Sequence, residues 1–135
     1  MKVQEIMSRD LEAASENETL LTIAQKMKQK DVGAIPITEG EQLKGIITDR
    51  DITLCIADGK DPKSSPAKSC MSTNPVTGRP DMDVEEVSKL MGREQIKRLP
   101  IVDQGNKLVG IVSLGDLAVK ADKGKEALKD IKKGV

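Results

Sequence analysis

The sequence predicts an α/β (α+β) fold made of two pseudo-symmetric β-α-β-β-α repeats that pack together through their sheets. Three observations support this class: the chain has 135 residues, it aligns with itself, and helical and strand periodicities alternate in the same order in each half. This length suits one compact domain. A half of about 60 residues is marginal on its own, so we expect the two sheets to cover each other.

The internal repeat becomes visible when the chain is shifted along itself by 64 positions. The shift aligns three pairs of methionine and proline residues: Met7 with Met71, Met27 with Met91, and Pro36 with Pro100. The offset then becomes 65, because ITEGEQLKG is matched by the longer IVDQGNKLVG. Repetition of this kind dictates the architecture. We therefore predict repeat 1 over residues 1–62 and repeat 2 over residues 63–135, which ends in a lysine-rich helical tail over residues 120–135.

Each repeat contains the same elements in the same order. Apolar residues recur at helical spacing in both copies, at Leu20, Ile23, Ala24 and Met27 and at Val84, Val87 and Met91. The stretches AIPIT and QLKGIIT, and then LPIV and KLVGIVS, predict a hairpin of two strands in each repeat. A second helix is expected after each hairpin, over DRDITLCIA and LGDLAVKA, the first with Ile52, Cys55 and Ile56 on one side.

The composition excludes several classes of function. The chain has no histidine, phenylalanine, tryptophan or tyrosine, so it lacks stacking platforms for bases, Ser-His or Cys-His pairs, and an ordinary zinc site. Its 22 basic and 22 acidic residues give a net charge of zero, and we expect neither a nucleic-acid partner nor a membrane partner. Asp49 and Asp51 stand two apart and do not share a helix face. We therefore expect no enzyme, no catalytic residue and no metal site.

The cysteines and the N-terminus indicate a cellular compartment. Cys55 and Cys70 are fifteen positions apart without a CxxC motif, which favours two reduced, buried thiols. The N-terminal stretch MKVQEIMSRD has no apolar run of signal-peptide length, and no part of the sequence is as long and apolar as a membrane span. The expected localisation is cytoplasmic.

Two junctions between a strand and a helix carry the most informative side chains. GIITDRDI, residues 45–52, and GIVSLGDL, residues 110–117, each place an aspartate three positions after a hydroxyl: Asp51 after Thr48 and Asp116 after Ser113. This spacing is a capping box, which satisfies helix N–H groups. The same groups at a helix N-terminus can also hold a phosphate and a ribose. Both interpretations stay open at this point.

The order of these motifs resembles the CBS-domain family in its tandem form. IMS and CMS stand at the heads of the repeats, GAIPI and KRLPI open the hairpins, and GIITDRD and GIVSLGD close them. The resemblance covers about residues 3–123 and is that of a stand-alone bacterial CBS pair. It implies ligands that contain adenosine, such as AMP, ADP, ATP, NAD or S-adenosylmethionine, bound in clefts between paired repeats. No cofactor is required, and Mg²⁺ is expected only together with ATP.

The resemblance implies two clefts, each with residues from both repeats. Cleft 1 is expected to contain Ser8, Ala13, Val32, Gly33, Arg98, Ile111, Ser113 and Asp116. Cleft 2 is expected to contain Ala34, Ile46, Thr48, Asp51, Ser72, Thr77, Ile96 and Lys97. Arg98 offers a forked cation where repeat 1 has Ala34. We therefore expect cleft 1 to take a phosphate group.

The sequence thus predicts a regulatory sensor without catalytic activity. An adenosine nucleotide would occupy one or both clefts and shift how two pairs form a homodimer, and the regulated partner protein is not encoded in any motif. A ligand that stabilises one packing over another can act in this way. Two alternatives are a ligand-free dimerisation or scaffold module and, more distantly, a small metal-dependent enzyme.

Overall fold

The computed structural model describes residues 1–121, and the side chains of Lys120 and Ala121 are not included in the description. The predicted lysine-rich tail lies outside the described residues apart from its first two. The described chain divides into two compact units. The continuous unit contains Glu12–Pro75, and the composite unit contains Met1–Leu11 together with the chain from Val76 onward. These units are not the two sequence repeats, because the N-terminal segment folds with the second hairpin; the repeat boundary at residue 62 stays a prediction.

The continuous unit contains two helices and a three-stranded antiparallel sheet. Its elements are α1 (Leu20–Lys30), β1 (Ala34–Glu39), β2 (Gln42–Thr48), α2 (Asp49–Ala57), a 3₁₀ turn (Ala67–Ser69) and β3 (Ser72–Thr73). The strand order is β1-β2-β3. β3 comes from the head of repeat 2 and pairs with the hairpin of repeat 1, with Ser72 opposite Ile46.

The composite unit repeats this arrangement. Its elements are a 3₁₀ turn (Val3–Glu5), α3 (Val84–Glu94), β4 (Arg98–Val102), β5 (Leu108–Ser113) and α4 (Leu114–Asp116), followed by a π turn (Leu117–Ala121). β4 and β5 are antiparallel. Ser8, from the head of repeat 1, forms an antiparallel bridge with Ile111. The four predicted hairpin strands are confirmed, and the predicted last helix is a single α turn continued by the π turn.

Each unit has an aliphatic core under its main helix. Leu20, Ile23 and Met27 of α1 are buried in the continuous unit, as are Val84, Val87 and Met91 of α3 in the composite unit. On α2, Ile52 is buried and Cys55 packs against the core. Ile56, in the last turn of α2, is 48% exposed. The apolar side predicted for α2 is therefore buried at Ile52, partly buried at Cys55 and exposed at Ile56. No helix among residues 1–121 is both long and apolar enough to cross a membrane.

The two cysteines form a disulfide, so the prediction of reduced, buried thiols is wrong. Cys55 lies in the second half of α2, and Cys70 follows the 3₁₀ turn at Ala67–Ser69. Their Cα atoms are 6.3 Å apart, within the range that a disulfide spans. Sequence spacing did not indicate this pair because the contact depends on where the head of repeat 2 returns to the hairpin of repeat 1.

A glycine in the second strand of each hairpin makes room for the head of the other repeat. At Gly45 of β2, a Cβ atom would lie 2.6 Å from the Ser72 carbonyl oxygen and 3.0 Å from the Met71 sulfur. At Gly110 of β5, a Cβ atom would overlap the Met7 sulfur. A methyl group at Gly45 would therefore push the backbone of the head segment away from the sheet, and one at Gly110 would displace the Met7 side chain.

We expect Gly45→Ala to lower the free energy of unfolding by about 1–3 kcal/mol, the usual cost of overpacking. Gly110→Ala should cost less, because its obstacle is a flexible methionine side chain and not backbone. Gly105→Ala is the matched control, since only the Asp103 carboxylate lies near its Cβ position, at 3.5 Å. Urea denaturation measures all three variants. Equal stability of Gly45→Ala and the control would contradict close packing of the head segment.

Candidate functional site

Both strand-to-helix junctions form complete capping boxes. The Asp51 N–H donates to Thr48 Oγ1 at 3.1 Å, and the Thr48 N–H donates to Asp51 Oδ2 at 2.9 Å. Ser113 and Asp116 make the same two bonds at 3.1 and 3.0 Å. The capping interpretation is thus correct as geometry. It does not use every polar atom: within the described chain, Thr48 donates its hydroxyl hydrogen to no acceptor and Asp51 Oδ1 accepts no hydrogen bond.

The start of each hairpin is tied to the start of the helix that follows it. The Asp49 N–H donates to the Gly33 carbonyl at 3.0 Å, and the Leu114 N–H donates to the Lys97 carbonyl at 3.1 Å. Strand register then sets the neighbouring residues opposite the caps, Ala34 opposite Thr48. In the composite unit, Arg98 lies opposite Ser113. Each hydroxyl therefore has the first residue of the hairpin across from it.

The head segment supplies the third side of each junction. Ser8 and Ile111 exchange two backbone hydrogen bonds, of 2.8 and 3.0 Å. Ser72 lies opposite Ile46 in the pairing of β3 with β2. Ile111 and Ile46 each lie two residues before the capping hydroxyl of their own strand. Ser8 and Ser72, which pair with these isoleucines, therefore lie beside the strand ends that carry the caps. The repeat arrangement makes the two junctions equivalent in backbone.

Ten of the sixteen predicted site residues come together in this way. The composite junction consists of Ser8, Arg98, Ile111, Ser113 and Asp116, all predicted for cleft 1. The continuous junction consists of Ala34, Ile46, Thr48, Asp51 and Ser72, all predicted for cleft 2. The other six lie in the opposite compact unit from the junction to which they were assigned: Ala13, Val32, Gly33, Thr77, Ile96 and Lys97. Their assignment stays a prediction.

The sequence did not indicate a role for Asp49, which lies at the continuous junction. A Cβ on Gly33 would lie 3.2 Å from the Asp49 carboxylate, and the same carboxylate accepts the Arg50 N–H at 2.8 Å. The carboxylates of Asp49 and Asp51 thus both stand in the first turn of α2. The composite junction has Leu114 at the position of Asp49. Aligning the two junctions residue by residue could have revealed this difference in charge.

The composite junction has an unpaired cation. Arg98 is half-buried, and the four ion pairs found among residues 1–121 do not include it. Ala34 stands at the equivalent place in the continuous junction. The two junctions therefore share a backbone but differ in electrostatics: the composite junction has Arg98 across from its hydroxyl, and the first turn of α2 has two carboxylates beside the exposed Arg50.

The loop that carries Ala13 is fastened to α1 by a lysine. Lys26 Nζ lies 2.7 Å from Glu18 Oε1 and donates to the Ala13 carbonyl at 3.3 Å. The Ser15 N–H donates to Glu18 Oε2 at 2.7 Å. Burial raises the pKa of Glu18, but the hydrogen bonds from Lys26 and Ser15 and the Lys26 charge outweigh it and leave that pKa below its usual value. Ala13 is thus held in place by a charged network.

Among residues 1–121, no three His, Cys, Asp or Glu side chains come together as a metal-binding set.

Comparison with known proteins identifies the family. The CBS domain model matches residues 3–58 and 67–121. The CBS domain-containing protein YhcV of Bacillus subtilis (strain 168) is 51% identical over 118 residues, which are 87% of this chain and 83% of the relative. The chain therefore belongs to the CBS-domain family, as a pair of CBS domains. This confirms the resemblance and the α+β class, and it makes the chain a regulatory module by family.

Solved structures with more than 25% sequence identity to this chain have the same fold, and two of them illustrate this. Hypoxic Response Protein I, solved with two coordinated zinc ions, is 31% identical with a TM-score of 0.81 over 89% of this chain and 98% of that one. The CBS domain pair of MJ0100, in complex with 5′-methylthioadenosine and S-adenosyl-L-methionine, is 28% identical with a TM-score of 0.79 over 87% of this chain and 93% of that one. The zinc ions and the adenosine ligands belong to those two structures.

We expect Thr48→Ala and Ser113→Ala each to lower the free energy of unfolding by about 1 kcal/mol, because each removes the acceptor of one helix N–H. Thr48→Ser is the control, since it keeps that acceptor. Chemical denaturation measures the difference. If both alanine variants are as stable as the wild type, the observed caps contribute nothing to folding.

Glu18 should make stability depend on pH in the acid range. A lowered folded-state pKa contributes stability that is complete above the ordinary glutamate pKa and is lost as the pH falls through the lowered value. Glu18→Gln should therefore be less stable than the wild type at neutral pH, and this difference should shrink on acidification. Thermal denaturation at several pH values tests this, with Glu94→Gln, at an exposed residue, as the control. A difference that is constant with pH would contradict it.

Proposed function

We propose that this CBS pair is a non-enzymatic sensor that binds an adenosine-containing ligand, with a phosphate group, at the composite junction. The observation that supports this most directly is the guanidinium of Arg98, which has no ion-pair partner among residues 1–121, across from the Ser113–Asp116 capping box. A forked cation, a hydroxyl and a carboxylate within one strand pairing suit a phosphate and a ribose. The MJ0100 complex supports the adenosine part, since both of its ligands contain that group.

The side chains, and not the helix dipole, would hold the phosphate. The α turn at Leu114–Asp116 has three residues and is continued by the π turn at Leu117–Ala121. Two of its N–H groups are already used, by the Lys97 carbonyl and by Ser113 Oγ. An anion would therefore depend mainly on Arg98, and the ligand preference should follow its charge.

The continuous junction would select a different part of a ligand. Asp49 and Asp51 place two carboxylates in the first turn of α2, and like charges disfavour a phosphate there. The free Oδ1 of Asp51 and the Thr48 hydroxyl can instead bond the two hydroxyls of an uncharged ribose. We therefore propose that this junction takes 5′-methylthioadenosine or adenosine in preference to AMP, ADP or ATP.

The regulatory step would be a shift between two packings of a homodimer. A ligand produces such a shift only if it binds one packing more tightly than the other. No cofactor is needed for this, and Mg²⁺ would enter only as a companion of ATP. The regulated protein would then respond to the packing and not to the ligand itself.

Calorimetric titration with AMP, ADP, ATP, NAD, S-adenosylmethionine and 5′-methylthioadenosine tests the proposal. We expect AMP, ADP, ATP and NAD to bind the composite junction. The affinities for S-adenosylmethionine and 5′-methylthioadenosine should not depend on Arg98. No heat from any of them at millimolar concentration would contradict the sensor and favour the ligand-free scaffold.

Substitution of the two key side chains separates binding from folding. Asp116→Asn keeps one oxygen that can cap Ser113 and loses the charge, so we expect a loss of about 1–3 kcal/mol in AMP affinity with little change in stability. Arg98→Met should lower the affinity for AMP by a similar amount and leave the affinity for 5′-methylthioadenosine unchanged. Asp51→Asn, in the continuous junction, is the matched control for AMP. If Asp116→Asn lowers stability and leaves affinity intact, Asp116 only caps its helix.

A further inference from the structure

The disulfide joins two chain segments that both lead to the continuous junction. Cys55 follows Asp51 by one helical turn on α2, and Cys70 precedes Ser72 by two residues. The sequence separation of the pair is 15, and the two Cα atoms are 6.3 Å apart. The covalent link therefore connects the helix that carries the carboxylate of the junction to the head segment that carries its serine.

The head of repeat 2 is anchored at its start, where Ala67 is buried and its N–H donates to the Glu18 carbonyl at 2.8 Å, but β3 itself is held more weakly. β3 contains two residues, Ser72 and Thr73, which are both exposed and pair with β2 at two positions. Before it, the Met71 N–H donates to the Ala67 carbonyl at 2.9 Å, and the Met71 side chain packs at Gly45. Short exposed pairings of this kind open at low free-energy cost. The disulfide is thus the only covalent restraint on this segment among residues 1–121, and it lies two residues before Ser72.

The composite unit provides a natural comparison without such a link. The repeat alignment places Lys120 opposite Cys55 and Ile6 opposite Cys70. Ile6 is buried, with 4% exposure, so the head of repeat 1 is held by core packing. The redox state of the cysteines can therefore act on one junction and leave the other unchanged.

The surroundings of Cys70 also accommodate the reduced form. Ser69 Oγ donates its single hydrogen to the Pro66 carbonyl at 2.7 Å, and it lies 3.6 Å from Cys70 Sγ. The hydroxyl has no second hydrogen for the disulfide sulfur. A Cys70 thiol, in contrast, can donate its own hydrogen to Ser69 Oγ. Both cysteines are partly exposed, which allows a reductant to reach them.

We propose that the Cys55–Cys70 disulfide is a redox control on the continuous junction: the oxidised pair keeps Ser72 beside Ile46, and reduction releases this segment. The reductant is a dithiol. Its thiolate attacks one sulfur and breaks the S–S bond, and its second thiol displaces the mixed disulfide. Two electrons and two protons pass to the protein, which gains two thiols, while the reductant becomes a disulfide.

The effect on a ligand rests on the proposed function of the junction. Because reduction loosens one side of the site, we expect 5′-methylthioadenosine to bind the oxidised protein about tenfold more tightly, within the usual range of coupling. Coupling is reciprocal, so saturating ligand should lower the reduction potential of the pair by about 30 mV.

Hydrogen exchange measured by mass spectrometry tests the redox control without any ligand. Peptides that contain residues 44–47 and 70–74 should exchange faster in the reduced protein, and also in Cys55→Ser/Cys70→Ser under oxidising conditions. Peptides that contain Ser8 and Ile111 are the internal control and should not change. Equal exchange of the 70–74 peptide in both redox states would overturn the proposal.

Titration of both redox states with 5′-methylthioadenosine tests the link to the ligand. A tenfold difference that is absent from the double serine variant supports it, and equal affinities overturn it. If neither state binds any adenosine ligand, the proposed function fails, and the exchange measurement alone decides whether the disulfide controls the segment.

Discussion

A glycine in the second strand of each hairpin lets the head of the other repeat reach the sheet. At Gly45 the obstacle to any side chain is the backbone of Ser72, and at Gly110 it is the side chain of Met7. These close approaches bring a serine beside each strand-to-helix junction. They also explain why the compact units combine segments from both repeats. The site geometry and the chain connectivity therefore depend on the same packing.

Folding and the proposed ligand binding use the same polar atoms at each junction. The hydroxyl of Thr48 accepts a helix N–H, and one oxygen of Asp51 accepts the N–H of the cap. An acceptor oxygen has a second lone pair, and a hydroxyl still has its hydrogen. The cap therefore fixes the direction in which the hydroxyl hydrogen and the unused lone pairs of the carboxylate point. A ligand that meets them does not have to break the cap, so the two interpretations of this motif are compatible.

Local pattern was sufficient for elements that depend on neighbouring residues. Strand alternation and helical spacing placed both hairpins and the main helices, whose apolar stripes are buried as predicted. The two serines predicted for the clefts, Ser8 and Ser72, also lie at these junctions. Local pattern was insufficient where a contact joins segments that are distant in the sequence. Nothing within α2 shows that Cys55 meets Cys70, because this contact depends on where residues 67–73 cross the hairpin.

The two repeats agree in backbone hydrogen bonds and differ in the side chains around them. The bond from Asp49 to the Gly33 carbonyl has its equal in the bond from Leu114 to the Lys97 carbonyl. Yet those first helical residues are an acid in one repeat and a leucine in the other. Since the backbone frame tolerates either side chain, the charge at each junction can change without loss of the fold. Duplication of the backbone arrangement, with side chains that vary independently, therefore allows one chain to have two junctions of different charge.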